Sequence, residues 1–204
     1  MEQATRTNDL WSGLFTARAR RELLQRAALQ DGESFLELGV GTGLTFAPLA
    51  RSNPCGRNDG LDQSDGMLRR CRRRLQRCGA TRFTLREGDA RDLPYEDETF
   101  DLVLCGYLFE LLPDPDAERV LRQILRVLCN GGRLLLASST RRGVGIGALV
   151  DRAAVRLLGG QAPEGLGVRM IAAGFRNVSS LVYSQRLFSS EVIRAIKLTG
   201  GGPS

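Results

Sequence analysis

Phe35-Leu36-Glu37-Leu38-Gly39-Val40-Gly41-Thr42-Gly43 decides how this chain is read. Phe35, Leu36 and Leu38 are apolar and strand-like, three alternating glycines break the strand, and Leu44-Thr45-Phe46-Ala47-Pro48-Leu49-Ala50 can carry a short helix beyond the turn. Glycines at a strand-to-helix turn let the backbone pass close to a ligand and point amide groups at it, where a Cβ would collide. Packing alone can also demand such a turn. The added weight comes from Glu37, two positions before the first glycine, and from the spacing. In the fingerprint G-x-G-x-x-G the third glycine would fall on Leu44 counting from Gly39, or on Phe46 counting from Gly41. The chain has E-x-G-x-G-x-G instead.

Outward from this segment, helical and strand patterns alternate, the signature of an open, mostly parallel sheet with helices on both faces. Leu10 to Leu29 reads as a helix, with Leu10, Leu14, Ala17, Leu23, Leu24 and Ala27 at apolar positions. A short strand ends at Gly60-Leu61-Asp62. Ser64 or Asp65 caps the next helix, which stops near Gly79. Arg82-Phe83-Thr84-Leu85-Arg86 alternates as a third strand, and Phe100-Asp101-Leu102-Val103-Leu104-Cys105 is the best core strand. A helix from Pro115 to Cys129, capped by Asp114, places Val120, Leu121, Ile124, Leu125 and Leu128 on one face. Asn130-Gly131-Gly132 turns the chain into a fifth strand, Arg133 to Ser138. A helix near Val168 to Ala173 and strands near Val178–Ser184 and Ser190–Lys197 complete the pattern. The expected fold is α/β: one doubly wound domain over residues 1–204, with a seven-stranded, mostly parallel sheet and an antiparallel C-terminal strand. It includes an N-terminal helix at 8–30 and an amphipathic insertion near 140–165.

At 204 residues, the chain can bury one sizeable core. Its 42% hydrophobic and 25% charged fractions are those of a globular protein. No stretch approaches the ~18 apolar residues of a membrane span, and the N-terminus lacks an apolar signal core. Cys55, Cys71, Cys78, Cys105 and Cys129 form no C-x-x-C pair, and the chain has no histidine, so no transition-metal site is expected. Reduced, packed cysteines fit a cytoplasmic protein. The net charge of +6 comes almost wholly from arginine. The run Arg69-Arg70-Cys71-Arg72-Arg73-Arg74 spreads around a helix and does not line a groove, which reads as a solvated face biased toward anions, with an anionic membrane surface as the sharper alternative. Nucleic-acid binding would call for interleaved aromatics or a recognisable module, and neither is present.

In a doubly wound sheet, ligands bind outside the carboxyl ends of the strands. Asp62 closes the second strand about 20 residues after the glycines, where a carboxylate can grip both ribose hydroxyls. It indicates a nucleoside without choosing the cofactor. E-x-G-x-G-x-G resembles motif I of the Rossmann-like methyltransferases that use S-adenosylmethionine (SAM). The further text fits the same type: Gly60-Leu61-Asp62-Gln63-Ser64 with Met67-Leu68, Gly88-Asp89-Ala90 with Leu93-Pro94, Phe100-Asp101-Leu102-Val103, Arg126 to Leu134, and Ala173-Gly174-Phe175. Together they resemble the small class I methyltransferases that include ubiquinone/menaquinone C-methyltransferases and bacterial phospholipid N-methyltransferases, over roughly residues 8 to 198.

That resemblance implies SAM as cofactor, with S-adenosylhomocysteine as product. It implies a donor site of Glu37 near the methionine moiety, Gly39, Val40, Gly41, Thr42 and Gly43 beneath sugar and amino acid, and Asp62, Gln63 and Met67 around the ribose. Gly88, Asp89 and Ala90 would hold adenine, and Cys105 would lie beside the methyl group. By analogy Tyr107 and Glu110 are the nearest catalytic candidates, with Asp9 a third; the family's early Tyr-Asp pair stands here as Asn8-Asp9. The insertion near 140–165 either covers the core or forms part of the acceptor pocket. Cys105-Gly106-Tyr107-Leu108 is not the Asn/Asp-Pro-Pro-aromatic motif of amino-methylating DNA enzymes. The apolar run through Leu112 favours a small hydrophobic or lipid-like acceptor. Two other classes stay open: a non-catalytic SAM-fold binding protein, and a nicotinamide oxidoreductase that the glycine spacing disfavours.

Overall fold

The computed structural model describes residues 17–140, 165–184 and 189–198. In chain order these form α1 (Ala17–Ala27), β1 (Ser34–Leu38), α2 (Phe46–Ser52), β2 (Arg57–Asp62), α3 (Asp65–Cys78), β3 (Thr84–Glu87) and β4 (Phe100–Gly106). A 3-10 turn (Phe109–Leu111), α4 (Asp114–Val127), β5 (Leu128–Thr140), α5 (Leu166–Ala173), β6 (Arg176–Ser184) and β7 (Ser189–Ile196) follow. The expected residues 8–16 of the first helix and nearly all of the 140–165 insertion, like Asp9, lie outside the described residues.

The strands make one seven-stranded sheet in the order β3-β2-β1-β4-β5-β7-β6. Neighbours from β3 to β5 are parallel, while β7 runs antiparallel to both β5 and β6. This is the expected fold class. Strands buried on both faces need apolar residues at odd and even positions alike, and β1 and β4 have them. Leu36, Leu38, Val103, Cys105, Leu134 and Leu136 pack on one face with α4 and α5. Phe35, Leu102, Leu104, Leu135 and Ala137 face the opposite core with α1, α2 and α3.

Local chemistry sets the helix ends. Ser64 caps α3, its hydroxyl accepting from the Met67 amide at 3.3 Å, and Gly79 closes the helix in the left-handed conformation (φ 75°). Leu68, Cys71 and Leu75 form the buried stripe of α3, so its arginines Arg69, Arg72, Arg73, Arg74 and Arg77 remain on exposed positions. The expected cap of α4 is corrected: Pro113 is the N-cap and Asp114 the first helical residue. Proline fixes its own φ near the value this entry uses, and Asp114 and Asp116 in the first turn face the positive end of the helix dipole. The far end is corrected too. Leu128 leaves α4 in an extended conformation and pairs with Phe100 of β4, so it and Cys129 belong to β5.

Phe35 is fully buried with its ring 5.2 Å from that of Phe46, which fastens β1 to α2 directly beneath the glycine turn. Phe35→Ala is expected to cost about 3–5 kcal/mol of stability, read from the midpoint of chemical denaturation at unchanged slope. A loss under about 1 kcal/mol would contradict this packing.

Candidate functional site

Parallel register sets the carboxyl ends of four strands in a row, because Asp62 stands opposite Glu87, Leu38 opposite Leu61, and Leu38 opposite Cys105. The glycine turn leaves β1 at the centre of this row. Gly39, Gly41 and Gly43 all take positive φ, at 66°, 53° and 77°. A Cβ on Gly43 would lie 2.6 Å from Cys71 Sγ, whereas one on Gly41 would meet nothing nearer than 3.9 Å. Gly43 is therefore demanded by packing on α3. Gly41 is demanded by backbone conformation, with open space before it.

The glycine amides of the turn are taken up within the protein and not offered to a ligand as the sequence suggested. Gly39 and Val40 donate to Leu61 O at 2.8 and 3.1 Å, Gly43 donates to Val40 O at 2.9 Å, and Gly41 donates to Asp62 Oδ2 at 2.8 Å. What the turn presents is acid. Asp62 Oδ1 also accepts from the Ser64 amide at 2.9 Å, so this carboxylate ties the glycine turn to the start of α3. Each of its oxygens retains a further acceptor site. Val40 and Thr42 are buried within the turn.

Glu37 is 4% exposed, and its Oε2 has no hydrogen-bond partner among the described residues. Burial, and then the charge of Asp62, pushes its carboxyl well above the usual range. A buried carboxylate without a counter-charge is costly. A ligand bringing an ammonium group to this spot would supply the missing partner.

Asp62 and Gly88 are brought together, the Gly88 amide donating to Asp62 O at 3.1 Å, and Gln63 lies close enough to Asp89 to help lower its carboxyl. Met67 and Gly88 are half-buried and Ala90 is buried. The sequence reading missed Arg91, whose Nε lies 2.9 and 3.0 Å from the two Asp89 oxygens and whose Nη1 lies 2.9 Å from Asp116. The Arg91 guanidinium holds the Asp89 carboxyl below its usual range. Opposite charges two residues apart in a loop were the available signal. Arg74, which donates from Nε to Thr42 O at 2.8 Å, carried no signal that separated it from its neighbours in the run.

The Cys105 side chain is fully buried in the core, and burial, with the Glu37 charge, pushes its thiol up; only its backbone can face a ligand. Tyr107 follows with φ 58°, a rare conformation for a bulky residue. It is pinned by its amide on Ala137 O and its hydroxyl 2.8 Å from Ser190 Oγ. Glu110 is buried, with Oε1 accepting from the Ser139 amide at 2.6 Å, so it fastens the exit of β4 to the end of β5. Burial raises its carboxyl, and the Ser139 amide opposes that. Ser139 and Ser190 were not foreseen, since they reach Glu110 and Tyr107 only through the sheet.

The profile described as a methyltransferase domain matches residues 35–132, from β1 through α4 into β5. Over these residues the chain carries a methyltransferase domain, and it resembles the SAM-dependent methyltransferases. It is 37% identical over 126 residues to a phosphatidylethanolamine N-methyltransferase of Cereibacter sphaeroides, covering 61% of this chain and 60% of that one. It is 33% identical over 123 residues to a demethylmenaquinone methyltransferase of Halalkalibacterium halodurans, covering 60% and 49%. The matches thus span about half to three fifths of these relatives. Among solved structures it superposes on the magnesium protoporphyrin IX methyltransferase of Synechocystis PCC 6803 with bound S-adenosylhomocysteine, at a TM-score of 0.70 and 18% identity, over 89% of this chain and 81% of that one; this likeness is one of fold. SAM, the cofactor of the methyltransferase family, has an ammonium group that fits the unpartnered Glu37 oxygen, and an adenosine that fits the row of acids from Asp62 to Asp89.

Two outcomes are expected. A carboxyl whose folded pKa lies above its unfolded value of about 4.3 binds more protons when folded, so it removes stability as pH rises between the two values. Ligand-free Glu37→Gln should therefore melt above wild type at pH 7–8, with the gap narrowing toward about pH 4; a gap independent of pH would contradict the raised carboxyl. Separately, Gly41→Ala and Gly43→Ala each force a left-handed alanine, at about 1–2 kcal/mol. Only Gly43→Ala adds a clash with Cys71, so it should denature at clearly lower temperature than Gly41→Ala. Equal melting temperatures would refute the assignment.

Proposed function

We propose that this chain transfers a methyl group from SAM to a small hydrophobic or amphiphilic acceptor. The observation that carries the reading is the buried Glu37 carboxylate, left without a partner at the strand end that opens into the glycine turn. Glu37 takes the amino group of the donor. Asp62, already holding Gly41 in place, accepts the ribose hydroxyls on its remaining lone pairs, with Gln63 and Met67 beside it. Asp89, steadied by Arg91, accepts the adenine amine next to Gly88 and Ala90. When bound, SAM supplies a methyl group already activated by its sulfonium.

The protein's share of the chemistry is alignment and exclusion of water, worth on the order of 7–11 kcal/mol in favourable cases. The backbone at Cys105 and Gly106 borders the donor, and Tyr107, held rigidly by Ala137 and Ser190, forms the acceptor-side wall. Glu110 has one oxygen committed to the Ser139 amide, which suits it to positioning this wall. A raised carboxyl could take a proton only if the acceptor must lose one. Both named relatives carry acceptors with apolar tails in their names, which supports a lipid- or quinone-like acceptor over nucleic acid. Free cysteines throughout support a cytoplasmic location, with contact at an anionic membrane surface to reach such an acceptor.

The test is transfer of labelled methyl from SAM into a cell extract and its lipid fraction, with calorimetry against S-adenosylhomocysteine and NAD. Label in an organic-extractable product and binding of S-adenosylhomocysteine alone are expected. Binding of SAM with no transfer to any fraction would favour a non-catalytic SAM-binding protein, and binding of NAD alone would sink the proposal.

A further inference from the structure

The two faces of the sheet carry helices of different charge. α1, α2 and α3 cover one face, where their buried side chains join a single core, and α2 packs directly on α3. These three helices hold eleven arginines and two carboxylates, Glu22 and Asp65. On the opposite face, α4 and α5 hold four arginines and three carboxylates. Both carboxylates of the basic face are already taken, Glu22 by Arg26 at 2.6 Å and Asp65 by Arg69. The apolar side of each helix is turned to the sheet, so Arg18, Arg21, Arg51, Arg73 and Arg77 point away from it, and all five are exposed. None of the five has an ion-pair partner among the described residues. A row of guanidinium groups without counter-charge draws anions to this face.

The kind of anion follows from what the face lacks. Phe46 is the one aromatic residue of the three helices, and it is fully buried, so no ring is available to stack a base as single-stranded nucleic acid requires. The large exposed apolar side chains of the described residues, among them Val168, Ile171 and Leu181, all lie off these helices. The face therefore offers charge spread over three helices, with nothing to insert. That suits a plane of phosphates, met electrostatically and reversibly. α3 begins three residues after Asp62, so one end of the face borders the strand ends that form the donor site. We infer that the α1–α3 face rests on an anionic phospholipid surface, with Arg18, Arg21, Arg51, Arg73 and Arg77 toward the headgroup phosphates, and so brings the donor site to an acceptor held in the membrane. This rests on the lipid-like acceptor proposed above and names the surface that reaches it.

The test is flotation of the full chain with vesicles of phosphatidylcholine alone and of phosphatidylcholine mixed with phosphatidylglycerol. Wild type should bind the mixed vesicles, leave the neutral ones, and come off as salt rises to about 0.5 M. Each arginine at such a surface is worth about fivefold in partition, so the double variant Arg73→Gln with Arg77→Gln should lose about 25-fold. The control Arg119→Gln with Arg122→Gln removes the same charge from exposed positions of α4 and should stay within about twofold of wild type. Equal losses from the two pairs would overturn the inference, because net charge and not this face would then drive binding. Equal binding to both kinds of vesicle, or to neither, would overturn it as well, and tight binding of a single-stranded RNA oligomer without vesicle binding would assign the face to nucleic acid. If the α3 variant does not fold, the lipid and salt dependence of wild type still decides. Methyl transfer to lipid in detergent micelles separates this inference from the reading beneath it. Transfer without vesicle binding would overturn the docking face alone, and the expected vesicle binding without transfer to any lipid would uphold the face and remove the lipid-like acceptor.

Discussion

A carboxylate buried at the end of the central strand, with no counter-charge of its own, is the constraint around which this structure is arranged. Glu37 sits between β2 and β4 in register with Gly60 and Leu104, and Gly60 has no room for a side chain against Leu85 and Val40. The acid is thus enclosed within the sheet, 4% exposed. Its charge is felt by Cys71 and Cys105, whose thiols are pushed up by burial and then by Glu37. The neighbouring acid, Asp62, raises the cost further, yet Asp62 is needed to hold Gly41. Stability is thus given up locally, in the manner of a preorganised site, and the larger apolar faces of the sheet offset it.

The fold was legible because its signals are local and mutually consistent. Apolar runs at β1 and β4, the Ser64 cap, the Gly79 stop and the alternating element types all point one way. One error lies where a tertiary contact overrules local pattern, the other in the choice between two adjacent caps. The apolar stripe of α4 continues through Leu128, but pairing with Phe100 draws that residue into β5. Asp114 is a good capping residue, yet Pro113 before it takes the cap.

The site was legible by half. Glu37, the glycines, Asp62, Gln63 and Asp89 could be set at strand ends because each lies at the close of an apolar run or in the turn that follows one. Their partners could not. Arg91 reaches Asp116 across 25 positions, Arg74 reaches Thr42 across 32, and Tyr107 reaches Ser190 across 83; no spacing rule links such pairs. The expectation that glycine amides face the ligand failed for a related reason. It borrowed the logic of phosphate-binding turns, whereas here Leu61, Asp62 and Val40 take up those amides and the turn offers carboxylates. That polarity suits a ligand whose charged end includes an ammonium group.

The central claim is that the Glu37 carboxyl meets the donor's ammonium. Its most direct test is the pH titration of the Glu37 carboxyl carbon by NMR in protein labelled at glutamate, with Glu37→Gln assigning the signal, in the absence and presence of S-adenosylhomocysteine. The account predicts a carboxyl that titrates well above the ordinary range in the free protein and moves down when S-adenosylhomocysteine binds. A titration that is the same with and without bound ligand would contradict it.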